Sequence, residues 1–510
     1  MNRQDILTSL KSHSPSVLIV GGGINGVGTF RDLTLQGVDT LLIDRADFCS
    51  GASAASSRMA HGGIRYLENG EFRLVREAVQ ERNRMIQNAP SLVQPLPTTI
   101  PIFKTFSGLL NAPLKFLGWL DKPSERGGLV IKIGLLFYDA FTGKTRAVPE
   151  HVFDKHASAL EKYPRLNPGI LYAATYYDGI ILSPERLTLE LLLDAEKIGD
   201  HARALNYVRL VSMNVDTVTM RDELTGSTFD VRPQLIVNAS GPWIDATNGT
   251  MGLPTHYISP TKGSHLVLDN PELRETIGDH EFFFENKDGR IVLIFPLFDK
   301  VMIGTSDLPI DDPDTARCSE EEVDYFIEMV ERIFPGIKVS REQIVFRFSG
   351  VRPLAFTKAK NAGQITRDHH IQEDKLGIIP VYSLVGGKWT SFRAFSEQVT
   401  DRALTFLGLP RTADTKNLPV GTGEDSTPIK IDPYYTRGEI SEMAVREKIV
   451  HLDDLLLRRT LLGYLGFLSR PLVEELANAL GESLGWDGSQ KNAEVERSLE
   501  ILADRHGIRL

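Results

Sequence analysis

An α/β fold with an inserted, mainly antiparallel sheet and a small C-terminal helical region is what this sequence predicts, and three observations carry the prediction. The first is Val17-Leu18-Ile19-Val20, a buried-strand run broken by Gly21-Gly22-Gly23-Ile24-Asn25-Gly26. A helix from Val27 to a stop at Gly37 follows, then a second apolar run, Thr40-Leu41-Leu42-Ile43, ending on Asp44. The second is the recurrence of strand–glycine–helix junctions far downstream, at Leu235–Trp243 and Ile378–Thr390. The third is the alternation of apolar and polar residues across 260–310, with turns at Asp288-Gly289 and Asp299-Lys300, which reads as antiparallel sheet.

Each part of the opening stretch has a physical task in a Rossmann-like dinucleotide site. Gly21 makes the tight turn, Gly23 lets the backbone approach a pyrophosphate, and Gly26 lets helix and strand pack closely. Unsatisfied N–H groups and the positive dipole end of the helix hold phosphates. Asp44 can accept hydrogen bonds from the adenosine ribose.

A chain of 510 residues exceeds one ordinary domain. Its net charge of −10 and lack of basic runs argue against non-specific nucleic-acid binding. The two cysteines, Cys49 and Cys318, have no metal-ligand spacing; they suit a reducing compartment and predict neither a metal site nor an iron–sulfur cluster. Residues 1–15 lack the apolar core of a signal peptide. The longest apolar stretches, Phe103–Leu120 and Leu129–Phe141, are broken by Lys104, Pro113, Lys115 and Lys132, so they read as core rather than as membrane spans.

In chain order, the loop Asp47–Arg58 follows Asp44. Its small residues, with Ser53, Ser56 and Ser57, would let amides and hydroxyls reach phosphates and ring edges. Next, His61-Gly62-Gly63-Ile64-Arg65-Tyr66 sets an imidazole, a guanidinium and a phenol beside two glycines, where a flat ring could approach the backbone. A helix is expected from Glu71 to Asn88, ended by Pro90. Another starts at Ser183 with Pro184 at its first position and stops at Gly199. Val208–Met220 and Ser227–Val231 read as a hairpin around Thr225-Gly226. Leu235–Trp243 then returns the chain to the cofactor, placing Ala239 and Gly241 there. Helix is expected over Ser319–Phe334 and strand over Val345–Arg352. The run 378–390 brings Gly386, Gly387, Lys388, Trp389 and Thr390 to a helix start that can face a developing anion.

The expected organisation is therefore a redox region over 1–410. Its cofactor segments lie at about 16–90, 185–245 and 345–406, and its substrate segments at about 91–184 and 246–344. A linker over 411–437 and a helical cap over 438–510 complete the chain.

These residues resemble the FAD-dependent glycerol-3-phosphate dehydrogenases from about residue 16 to 400, with gaps. The likeness rests on Gly21–Gly26, Ser53–Ser57, His61–Glu68, Asn238–Trp243, Lys262-Gly263-Ser264-His265, Ile303–Asp307, Ser349–Pro353, Ile365–Asp368 and Gly386-Gly387-Lys388. It implies FAD bound in the two-domain fold shared with glycine and D-amino-acid oxidases. It also implies oxidation of an sn-glycerol 3-phosphate-like alcohol to a ketone, with electrons passed to a quinone. Arg352 and Arg367 would grip the substrate phosphate, for which two guanidinium forks are well suited. Arg65 and Lys388 would flank the flavin and the reacting carbon, where a cation stabilises the charge acquired on reduction. His61, or else His265, would take the hydroxyl proton as a neutral imidazole; Tyr66 would orient the substrate. A cytoplasmic protein peripheral to the inner membrane face, and a homodimer, are further expectations of the resemblance alone.

Two departures stand out. Where the family carries a paired-aspartate stretch, this chain has Tyr176-Tyr177-Asp178-Gly179-Ile180-Ile181-Leu182-Ser183-Pro184-Glu185, which leaves the polyol phosphate open, erythritol phosphate included. The C-terminal region is shorter than the family's usual cap. The rivals are an amine or amino-acid oxidase on the same fold, which needs only one arginine for a carboxylate, and a flavin-binding regulator without turnover.

Overall fold

The computed structural model describes residues 1–64, 71–105, 128–142, 147–286, 289–356, 368–421 and 426–510. The strand Val17–Val20 pairs in parallel with Thr40–Ile43 on one side and Leu235–Asn238 on the other. Ala202–Leu205 extends this sheet at one edge, and Ile379–Val385 with the antiparallel His370–Leu376 extends it at the other. Its central strands are buried apart from the partly exposed Val20 at the end of the first, as near-continuous apolar runs in a covered parallel sheet should be. The helix Ile24–Leu35 packs against both Pro184–Glu196 and Phe392–Leu407. Pro184–Glu196 starts as expected, with the Ser183 hydroxyl accepting from the Arg186 N–H.

The expected hairpin over 208–231 is a three-stranded meander, Val208–Asn214, Thr217–Asp222 and Thr228–Val231. The difference is a tight reversal at Val215, whose φ of 55° the residue type gave no reason to expect.

A ten-stranded sheet forms the second layer. Its spine runs Thr261–Leu268, Lys300–Gly304, Ile291–Leu297, Glu281–Glu285, Val93–Ile102, Tyr172–Ile181 and Met59–Ala60, antiparallel except where Glu281–Glu285 meets Val93–Ile102. One boundary differs from expectation. Ile344–Arg352, assigned above to the last cofactor segment, pairs along Thr261–Leu268 in this large sheet, from Thr261↔Arg352 to Leu268↔Ile344. The chain rejoins the cofactor sheet only at His370. Pairing between segments some 80 residues apart leaves no local mark, whereas the strand itself was legible.

The helix Gly128–Thr142 buries Ile131, Leu135 and Tyr138 but exposes Leu129, Ile133, Leu136 and Phe137, so the core reading holds for only one of its faces. Among the described residues no helix is long and apolar enough to cross a membrane. The C-terminal helices Arg437–Arg446, Arg470–Leu484 and Gly488–His506 pack on the large sheet, where Phe346 meets the rings of Tyr464 and His506.

Candidate active site at the seam of two sheets

The cofactor sheet and the large sheet enclose a cavity of about 1800 Å³. The glycine turn builds one end. Gly21 has φ +114°, and a Cβ there would lie 2.6 Å from the Ala239 carbonyl oxygen; one on Gly26 would lie 1.9 Å from the Gly21 oxygen. Only glycine permits this strand–helix approach. Gly23, the N-cap of helix Ile24–Leu35, carries no side chain to close the first turn. Beside it the Ile24 N–H donates to Ser53 Oγ at 3.0 Å. Asp44 lies at the end of its strand with both oxygens oriented by backbone: Gly22 N–H donates at 2.7 Å and Ala46 N–H at 2.9 Å. Burial nevertheless pushes this carboxyl up to about 6, against those two donors.

Further along, the wall brings together Asn25, Ser56, Ser57, His61, Gly63, His265, Arg352, Gly386, Gly387, Lys388 and Trp389. His61 follows directly on Met59-Ala60, the edge of the large sheet. Its N–H donates to Thr390 Oγ1 at 2.9 Å, and its carbonyl accepts from the same hydroxyl at 3.0 Å. His265 is buried on the large sheet. Its ring stacks on Phe348 at 4.8 Å, and Nε2 lies 2.8 Å from Ser57 Oγ. Gly304, opposite in register, makes room for it: a Cβ there would lie 2.1 Å from the imidazole. Burial first, then the Arg352 and Arg58 charges, lower His265 to about 3. It is neutral, and a weak proton acceptor, at any ordinary pH. Arg352 donates to Thr305 Oγ1 at 2.7 Å and to Asp307 at 3.2 Å.

Several expectations need adjustment. Gly22, Gly26, Gly62 and Thr390 do not line the cavity. They shape the residues that do, through the Asp44 hydrogen bond, the helix–strand approach, a contact with Tyr138 and the clamp on His61 respectively. Arg65, Tyr66 and Arg367 lie outside the described residues.

The sequence reading named Asp178 only within the departing stretch that begins at Tyr176 and missed the polar layer it forms with Arg82 and Tyr138. Arg82, Tyr138 and Asp178 are all buried and joined by hydrogen bonds. It also missed Asp47, whose carboxylate is gripped by Arg458 and Arg459 of the C-terminal region. For Asp178 the available signal was an aspartate within a largely apolar strand run; Arg82, between Glu81 and Asn83, offered none.

A family model for FAD-dependent oxidoreductases matches residues 16–402. The chain belongs to this family, and FAD is its cofactor. The donor set fits that group, with open amides at a helix start for phosphates, an acid for ribose and a Gly386-Gly387-Lys388 turn for a ring edge. Among curated relatives, the glycerol-3-phosphate dehydrogenase of Synechocystis sp. is 36% identical over 411 residues, covering 76% of this chain and 69% of that protein. The mitochondrial glycerol-3-phosphate dehydrogenase of Bos taurus is 27% identical over 568 residues, covering 98% and 74%. The solved glycerol-3-phosphate dehydrogenase of Bacillus halodurans, complexed with FAD, shares the fold with a TM-score of 0.73 at 21% identity, covering 99% of this chain and 97% of that one.

Proposed function

We propose that this protein is an FAD-dependent dehydrogenase that oxidises sn-glycerol 3-phosphate at C2 to dihydroxyacetone phosphate and passes the electrons to a quinone. The observation that carries the reading is the convergence of Arg352, Lys388 and His61 on the cavity that begins at the glycine cradle. FAD, when bound, accepts the hydride. The chain supplies the rest. Arg352 holds the phosphate, with Arg367 as its partner, and so fixes which carbon faces the ring. Lys388 and Arg65 stabilise negative charge developing at the ring edge. His61 takes the hydroxyl proton; the depressed basicity of His265 favours His61 over it. His265, bonded to Ser57, then shapes the wall, and Tyr66 orients the substrate.

The exposed apolar face of Gly128–Thr142, extended by Phe72 against Phe137, supports peripheral contact with the membrane that holds the quinone. Whether the chain pairs with a second copy is open to a direct mass measurement in detergent and in buffer.

The test is anaerobic titration of the yellow protein. Sn-glycerol 3-phosphate should bleach the flavin band, whereas glycerol and amino acids should not. Bleaching by an amino acid alone would replace this reading with an amine oxidase, and bleaching by no polyol phosphate would leave a flavin-binding regulator.

A further inference from the structure

The chemistry so far does not use three buried ionisable side chains, two of which bond the amide that follows His61. Arg82, on helix Phe72–Asn88, is fully buried. It donates to Tyr138 Oη at 2.7 Å and to the Tyr177 carbonyl at 2.6 Å, and it pairs with Asp178 at 3.4 Å. Tyr138, on helix Gly128–Thr142, donates its hydroxyl to Asp178 Oδ1. Removing an ion pair and a phenol from water costs several kcal/mol per ion and is seldom recovered as stability. Such a cluster calls for a positional explanation.

Two of the three meet at one atom, the amide of Gly62, and Arg82 bonds both of them. That amide donates to Asp178 Oδ1 at 2.9 Å and to Tyr138 Oη at 3.1 Å. The fit is close enough that a Cβ on Gly62 would lie 2.2 Å from the Tyr138 oxygen. On the other side, Thr390 clamps both the N–H and the carbonyl of His61. The peptide units flanking His61 are thus held by Thr390 from the cofactor layer and by Asp178 from the large sheet. Asp178 also lines the cavity itself.

We propose that Asp178 is a positioning residue for His61: it fixes the His61–Gly62 peptide and sets a buried carboxylate beside that peptide unit as the His61 ring takes up the substrate proton. The proposal rests on the reading of His61 as the base.

The groups facing Asp178 are consistent with this. Arg82 and Tyr138 reach it from the two helices, and Tyr176 shares its strand and its face. Glu281, opposite Thr98 in register, accepts from the Thr98 hydroxyl at 2.7 Å; burial, and secondarily Asp178, push it up to about 8. The cavity wall that His61 lines also carries Lys388, Arg352, Asp368 and Glu71.

The experiment is anaerobic stopped-flow reduction of the flavin by sn-glycerol 3-phosphate across pH. It uses the full-length holoprotein and the variants Asp178→Asn, Tyr138→Phe, His61→Asn and His61→Asn/Asp178→Asn. Asp178→Asn keeps an acceptor for the Gly62 amide but removes the charge. Reduction should slow roughly tenfold, and the acid limb should move down by about half a pH unit, because the imidazolium loses a counter-charge. Tyr138→Phe should slow reduction by about threefold; it decides the question if Asp178→Asn does not fold. In the His61→Asn background, Asp178→Asn should add nothing further.

A wild-type rate with an unmoved acid limb in Asp178→Asn, or in Tyr138→Phe if only that variant folds, overturns the proposal. So does an additive loss in the double variant. His61→Asn reducing at the wild-type rate would instead sink the base assignment, and the positioning role with it.

Discussion

Arg459 and Arg352 are each held against an aspartate, yet their surroundings assign them opposite tasks. Arg459 grips Asp47 with two parallel bonds, 2.6 and 2.9 Å, and neither side chain is more than 2% exposed. Around them Arg458 closes on Asp47, Asp453 and Asp454, and Arg186 forms a second two-pronged pair with Glu447 at 2.8 and 2.9 Å. This latch spends its charges within the protein. It ties the C-terminal helices to the loop that continues into the serines of the cofactor wall. Arg352 lies in the cavity wall, shares one 3.2 Å contact with Asp307, and both partners are about a quarter exposed. A guanidinium in the latch holds two regions of the chain together; on the proposed function the one in the wall meets the substrate phosphate. Burial distinguishes the two settings, and residue type alone does not.

The contrast can be broken experimentally. The largest effect is expected from Arg459→Ala, which removes the two-pronged pair, leaves Arg458 as the remaining guanidinium on buried Asp47 and should cost about 3–5 kcal/mol of stability. Urea unfolding should show it, with early loss of flavin. Arg352→Ala should instead cost about 2–5 kcal/mol in kcat/KM for the phosphorylated substrate, with no comparable change in Tm. Equal losses of Tm in the two variants would erase the distinction.

A subtler effect concerns Asp44. Its carboxyl titrates near 6 in the folded protein against an ordinary 3.8, so the folded state binds the extra proton. The flavin-free protein should lose the Asp44 contribution to stability as pH rises from about 4 to about 6, and Asp44→Asn should flatten that slope in thermal melts. The smallest effect belongs to the exposed Arg470–Glu496 pair. Arg470→Ala should leave Tm unchanged within error, as a solvated pair contributes little.

The parts of this architecture that were legible in the sequence are those whose causes are local. The strand–glycine–helix–strand–acid run, the Ser183 cap and the strand returns at 235 and 379 all depend on neighbouring residues, and each sits where the residue pattern put it. The assignment of Ile344–Arg352 to the wrong sheet, and the missed reversal at Val215, have a different origin. Which distant strand a segment pairs with, and where it reverses without glycine, are settled by tertiary packing. The site divides in the same way. His61, His265, Arg352 and Lys388 sit in recognisable motifs and share one cavity. Asp178, Tyr138 and Arg82 come from three separate elements, and nothing in their local sequence announces that the first two meet at the Gly62 amide with Arg82 bonded to both.

The latch has a temporal consequence. Asp47 is separated from Arg458 and Arg459 by 411 and 412 residues. During synthesis the loop that leads into the cavity serines therefore carries an unneutralised carboxylate until residues 458 and 459 have left the ribosome. Loading of the prosthetic group should wait for them, and a nascent chain stalled before residue 458 should emerge colourless.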